Sequence, residues 1–209
     1  MAYCSTRRAQ KRRKDLGFSL VELLVSVIIL VVLAAIAVPT LLRAYHAYQL
    51  GDAASRLSGI MKTTRFSAVR KNTPISCQVV QNGTTWTIWT DLDGDGTAET
   101  TEPQILLSGL VQLLDDSAVP APNAITAALA TGSAPLNTLS TGNATVWYDQ
   151  RGARGFGTAP SFGGPTTIDV FYLGNPAIPD LEFRAVVLLP GGSVQVWSAG
   201  PGGTWQRIN

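Results

Sequence analysis

The stretch DLDGDGTAETTE, Asp91–Glu102, is the segment whose residue types and spacing point most directly to chemistry. Asp91, Asp93, Asp95, Gly96 and Glu102 fill the calcium-loop template D-x-D-x-D-G-x5-E. Carboxylates at alternate positions converge on a hard cation, and the glycine allows the sharp turn. The flanks argue otherwise: a strand pattern precedes the loop, and no pair of helices brackets it. The favoured reading is a hairpin tip in which Asp and Gly provide turn geometry. A bound Ca2+ that stiffens the loop is the alternative, and no cofactor is required.

A second stretch, RGARGFG, sets Arg151 and Arg154 on a glycine-rich loop. A phosphate cradle needs a strand-to-helix setting that is missing here. A glycine-rich turn is therefore favoured, with DNA binding through Arg151 and Arg154 as the alternative. Catalytic groups are scarce. His46 is the single histidine, and Cys4 and Cys77 sit in dissimilar contexts, one in a basic tail and one in a strand pattern. No Ser-His-Asp set, Cys-His pair or zinc cluster can be assembled, so the expectation is a protein that is not an enzyme. Trp86, Trp89, Trp147, Trp197 and Trp205 fall mainly in strand patterns, where packing is the default role.

Glu22 poses a different question. Phe18 to Val38 is a run without Gly or Pro in which only Ser19, Glu22 and Ser26 are polar. As a helix it spans about 31 Å, close to the ~30 Å hydrocarbon core of a bilayer. A carboxylate inside such a run costs several kcal/mol, of order ~3 at a helix centre and less near the interface. The preceding flank is strongly basic. Residues 1–17 hold Arg7, Arg8, Lys11, Arg12, Arg13 and Lys14 against Asp15 alone. Of the 16 basic and 14 acidic side chains in the chain, ten and thirteen therefore follow Gly17, a net of −3. Basic character belongs to the tail, and the positive-inside rule keeps that end cytoplasmic. A secretory signal peptide has a shorter apolar core followed by a small-residue cleavage site, whereas here Gly17 stands before a long core.

These residues carry a resemblance. KDLGFSLVELLVSVIILVVLAAIAVP is similar to the class III signal of type IV pilins and type II secretion pseudopilins. The resemblance implies a leader, residues 1–17, cut after Gly17 by a prepilin peptidase, and N-methylation of the new terminal Phe18. It also implies a glutamate at the fifth mature position, Glu22, and a helix-kinking proline, Pro39. On this reading Glu22 pairs with the Phe18 amine of a neighbouring subunit. A charge that is a penalty in the lone chain then sets axial register among otherwise slippery apolar helices. Partners implied are the peptidase, other pilin or pseudopilin subunits and an inner-membrane assembly platform. The implied location is a single pass through the bacterial inner membrane, with the head periplasmic.

Beyond Pro39, Ala53, Leu57, Ile60, Met61 and Ala68 recur at helical spacing. Residues 39–72 thus read as an amphipathic stem, ended at RKNTP by basic residues, Asn and Pro. From 73 to 209 the pattern is β. ISCQVV and TWTIWT are joined by QNGT, and QILL, TVWY, IDVFYL, FRAVVLL and SVQVWSA follow, the last two joined by PGG. Long helix first and antiparallel strands after predict an α+β fold, a stem helix packed on a sheet. This order resembles the GspH/FimT minor pseudopilin domain. Residues 108–144 are rich in Ala, Thr, Ser, Pro and Asn and read as a low-complexity surface insertion.

Overall fold

The computed structural model describes residues 19–107, 109–129, 143–155, 168–178 and 182–208, and the backbone of 136–138. The chain divides into two compact units, Met1–Leu42 and Arg43–Asn209.

One helix, α1, runs Leu20–Lys71 with Pro39 inside it. Its final turn carries Arg70 and Lys71, cations that suit the negative end of the helix dipole. Asn72 then takes a left-handed backbone (φ 52°). The Asn72 N–H donates to the Val69 carbonyl and the Thr73 N–H to the Ala68 carbonyl, both at 3.3 Å. This pair of bonds is a Schellman termination, and Pro74 follows it. RKNTP therefore ends the helix as its residues predict.

Within the second unit the buried stripe of α1 includes Leu50, Ala53, Ala54, Leu57, Ile60, Met61 and Ala68. The strands after it divide into two sheets. In chain order they are β1 (Ile75–Asn82), β2 (Thr85–Asp91), β3 (Gln104–Leu107), β4 (Gln112–Leu114), β5 (Leu136–Thr138), β6 (Ala144–Tyr148), β7 (Arg154–Gly155), β8 (Ile168–Gly174), β9 (Phe183–Leu188), β10 (Val194–Ala199) and β11 (Trp205–Arg207). The first sheet has the order β3-β2-β1-β6-β7 and the second β11-β10-β9-β8-β4, with β5 on β8. Among the described residues every pairing is antiparallel except β5 with β8. The predicted α+β class and strand segments are present. The division into two sheets and the parallel β5 are additions that the local patterns did not contain.

The β1–β2 hairpin turns through Gly83 and Thr84, with Asn82 paired to Thr85 and Gly83 at φ 63°. Glycine at the first central position suits the twist of a two-residue hairpin.

Two cores result. The first joins the α1 stripe to Ile75, Cys77, Val79, Trp86, Ile88 and Tyr148 of one sheet and to Phe171, Leu173, Val186 and Leu188 of the other. The second lies on the opposite face of the second sheet, around Val170, Tyr172, Ala185, Val187, Trp197 and Trp205. Alternation along β8 and β9 sends successive side chains to opposite faces. Both strands are therefore apolar on both sides, as a doubly covered sheet requires.

The cover on the second face comes from the segment expected to be a surface insertion. Residues 108–144 contribute β4, β5, a 3-10 turn at Asp116–Ala118 and a short helix, α2, Asn123–Leu129. Ile125 of α2 is fully buried in the second core beside Val119. The Tyr172 hydroxyl donates to the Pro122 carbonyl (3.2 Å) and Trp205 Nε1 to the Pro120 carbonyl (2.8 Å). The expectation of a mere insertion is corrected on this point. The Ala/Thr-rich composition hid a helix with one large apolar anchor.

Candidate functional site

In the first unit, α1 begins with the Leu23 N–H donating to the Ser19 carbonyl at 3.1 Å. Every described residue from Ser19 to Leu42 is exposed, including Leu20 at 79% and Ile36 at 69%. This is the one described helix long and apolar enough to cross a membrane, and none of its apolar window is buried. Burying one such side chain is worth roughly 1.5–3 kcal/mol, so a surface of this kind demands lipid or neighbouring helices.

Glu22 lies in the first turn and is exposed. The Ser26 hydroxyl donates to the Glu22 backbone carbonyl (2.7 Å), and the Glu22 carboxylate has no hydrogen bond or ion pair among the described residues. The N-terminal end of a helix favours negative charge, and that eases the cost of this position. Pro39 supplies no N–H for the Ala35 carbonyl, and Thr40 Oγ1 donates to the Ile36 carbonyl at 3.0 Å. Gly17 and Phe18 lie outside the described residues.

The Asp91–Glu102 loop folds as a tightly hydrogen-bonded tip. Asp91, Asp93 and Asp95 each place a carboxylate oxygen within 4.8 Å of the others. Asp91, at the end of β2, accepts from the Gly94 N–H (2.7 Å), the Gly96 N–H (3.2 Å) and the Ser76 hydroxyl (3.2 Å). Glu102 does not join this group. Its buried carboxylate accepts from the Leu92 N–H (2.5 Å) and the Glu99 N–H (3.4 Å), clamping the two ends of the loop. Asp95 is held below the ordinary carboxylate pKa by the Thr97 hydroxyl and then by the Thr97 N–H. The three aspartates have the donor chemistry for a hard cation. The fourth expected ligand is engaged by the backbone.

Arg154 and Arg151 separate sharply. Arg151 is exposed. Arg154, on β7 at the edge of the first sheet, is 2% exposed and forms an ion pair with Asp169 of β8 in the second sheet. Its burial counts against the alternative of a DNA contact through Arg154: the guanidinium ties the two sheets together. Nearby, Arg65 Nε donates to the Gly152 carbonyl (2.9 Å) and its Nη2 to the Gly191 carbonyl (3.3 Å). Gly152 and Gly192 both have φ 77°, and a Cβ on Gly192 would collide with the Gly152 carbonyl. The missed signal was Asp169, the lone charge in the apolar run IDVFYL.

His46 sits on α1 beside Tyr45, ring centroids 6.2 Å apart, with no hydrogen bond or ion pair among the described residues. Cys77 is fully buried, and burial pushes its thiol pKa up to about 12, partly offset by a hydrogen bond with Thr64. Burial also raises the Tyr148 phenol.

Comparison with known proteins adds one family match. Residues 12–38 match the family model described as the prokaryotic N-terminal methylation motif. The matched span includes Gly17, Phe18 and Glu22. No curated protein matches the chain significantly. Two crystal structures of the type IV minor pilin FimU of Pseudomonas aeruginosa PAO1 are similar to it. The P21 form has 14% identity and a TM-score of 0.32, covering 78% of this chain and 90% of that one. The P65 form has 13% identity and a TM-score of 0.32, covering 77% and 93%. A likeness of this size leaves the head to be argued from its own residues.

Proposed function

We propose that this chain is a minor pilin-type structural subunit, built into a type IV pilus or a type II secretion pseudopilus. One observation carries the reading. The methylation motif coincides with an apolar helical segment, residues 20–42, that is exposed throughout and bears a single carboxylate, Glu22. The chain is made as a precursor whose basic leader holds its N-terminus in the cytoplasm. A prepilin peptidase cuts after Gly17, and the Phe18 amine is methylated. The head lies across the inner membrane.

Glu22 then pairs with the terminal amine of an adjacent subunit, relieving a charge that lipid disfavours. Helices that offer only apolar surface slide freely along one another, and the charge pair selects one axial position. Pro39 removes one backbone hydrogen bond and lets the helix bend within the bundle. The Asp91–Glu102 tip belongs to the head, where Ca2+ on Asp91, Asp93 and Asp95 would stiffen the loop. A DNA-capturing head is the weaker reading, because Arg154 is buried in an ion pair and Arg151 alone remains exposed.

The test is N-terminal mass mapping of the assembled protein, with and without the peptidase. Loss of residues 1–17 and one added methyl on Phe18 are expected. Retention of residues 1–17 in the assembled form would refute the proposal.

A further inference from the structure

The outward face of α1 within the head carries an aromatic side chain between two cations, and no described residue covers it. Lys62, Phe66 and Arg70 stand at i, i+4 and i+8, on the side opposite the buried Leu57, Met61, Thr64 and Ala68. Phe66 is 69% exposed and Val69 beside it 47%. Gly152 lies against Arg65 and Val69, which brings the exposed Arg151 to the same side. None of Lys62, Arg70 and Arg151 has an ion-pair partner among the described residues. A large aromatic flanked by cations is the composition of an interface hot spot.

The complement is on the same chain. Asp93, Asp95 and Glu99 are exposed on the Asp91–Glu102 tip, also without a cationic partner among the described residues. The clamps from Asp91 and Glu102 present them on a fixed loop. Lys71 is already spent on that loop's backbone, its Nζ donating to the Leu92 carbonyl at 3.1 Å.

We propose that this face of α1 is an interface for a second copy of the chain. Lys62, Arg70 and Arg151 of one head meet Asp93, Asp95 and Glu99 of the next, and Phe66 is covered at the seam. The inference rests on the filament reading and adds to it the head surface through which neighbours touch. Two different patches of one chain make a head-to-tail contact, which propagates as an open helical array instead of closing. Charge pairs at such a rim orient the partners more than they hold them. The contact is weak between free heads and becomes effective when membrane helices keep copies close.

The experiment uses the full chain in membranes, with Cys4→Ser in every copy. Cys77 is buried and silent. Two differently tagged copies carry Thr63→Cys and Ala98→Cys, both exposed positions, and a short bis-maleimide joins them. A heterologous cross-link is expected. Lys62→Glu with Arg70→Glu on the first copy should lower its yield about fivefold or more, and Asp93→Lys with Asp95→Lys on the second should restore most of it. Phe66→Ala, a change at a largely exposed position, should also lower the yield. A yield indifferent to reversal, or reversal without rescue, would overturn the interface. So would charge reversal that abolishes double-stranded DNA retention at low salt while the cross-link persists. Mass analysis of the same bands separates the two readings. A cleaved leader with a charge-insensitive cross-link sinks only the interface, whereas residues 1–17 still attached in cross-linked species sink the filament reading and the interface together.

Discussion

Arg154→Met tests whether the head is held by an ion pair between its two sheets. Arg154 and Asp169 are each 2% exposed, so removing the guanidinium leaves a carboxylate with almost no access to water. Breaking a buried pair from one side costs about 3–5 kcal/mol, because the remaining charge is uncompensated. Against a total stability of about 5–15 kcal/mol for a domain, that is a large fraction. The fragment Arg43–Asn209 suits the measurement, since both cores lie wholly within it. With a urea slope of about 2 kcal/mol/M, the midpoint should fall by roughly 1.5–2.5 M. The double variant Arg154→Met/Asp169→Leu should recover most of the loss, because a well-packed apolar pair often matches a buried ionic one. Were Arg154 a solvent-facing ligand contact, the single change would stay within about 0.5 kcal/mol. A loss below about 1 kcal/mol, or a double variant as weak as the single, would refute the reasoning.

Cys77 makes stability fall at high pH. Its folded-state pKa of about 12 lies above the ordinary 9.0, so between these values only the unfolded chain sheds the proton and gains from doing so. That contribution is intact below about pH 9 and is lost as pH rises toward 12, at most about 4 kcal/mol from this group. Urea titrations of Cys77→Ala should show a shallower alkaline slope than the parent. Ile125→Ala should cost about 2–4 kcal/mol by opening the second core beneath α2; an unchanged urea midpoint would mean that 108–144 is a loose insertion after all. Glu102→Ala frees the Leu92 and Glu99 N–H groups and should lower stability by about 1–3 kcal/mol in the presence of chelator; a loss seen only with added Ca2+ would make Glu102 a metal ligand instead of a clamp. Glu22→Gln should leave leader cleavage intact and reduce incorporation into filaments, read by sedimentation at equal expression; undiminished incorporation removes the register role.

The elements set by local rules were open to reading from residues alone. The membrane-length helix needs only a sustained apolar run, the methylation motif only a local pattern within residues 12–38, and the helix end only the Asn72–Thr73–Pro74 cap. Strands β1, β2, β3, β6, β8, β9 and β10 announced themselves by their residue patterns and by the turns between them, whereas β4, β5, β7 and β11 did not. The rest depended on which segments meet. Nothing local distinguishes Arg154, buried against Asp169, from Arg151, exposed three positions earlier; β-sheet pairing decides it. Nor does the composition of 108–144 reveal that Ile125 is an anchor, although β8, apolar on both faces, already required a cover. Glu102 matched a metal template by spacing, yet the closing of the loop turned it toward two backbone N–H groups. Periodicity and caps act between residues a few positions apart and so are written in the order of the chain. Burial and charge pairing join residues far apart in sequence, and only the packed fold chooses them.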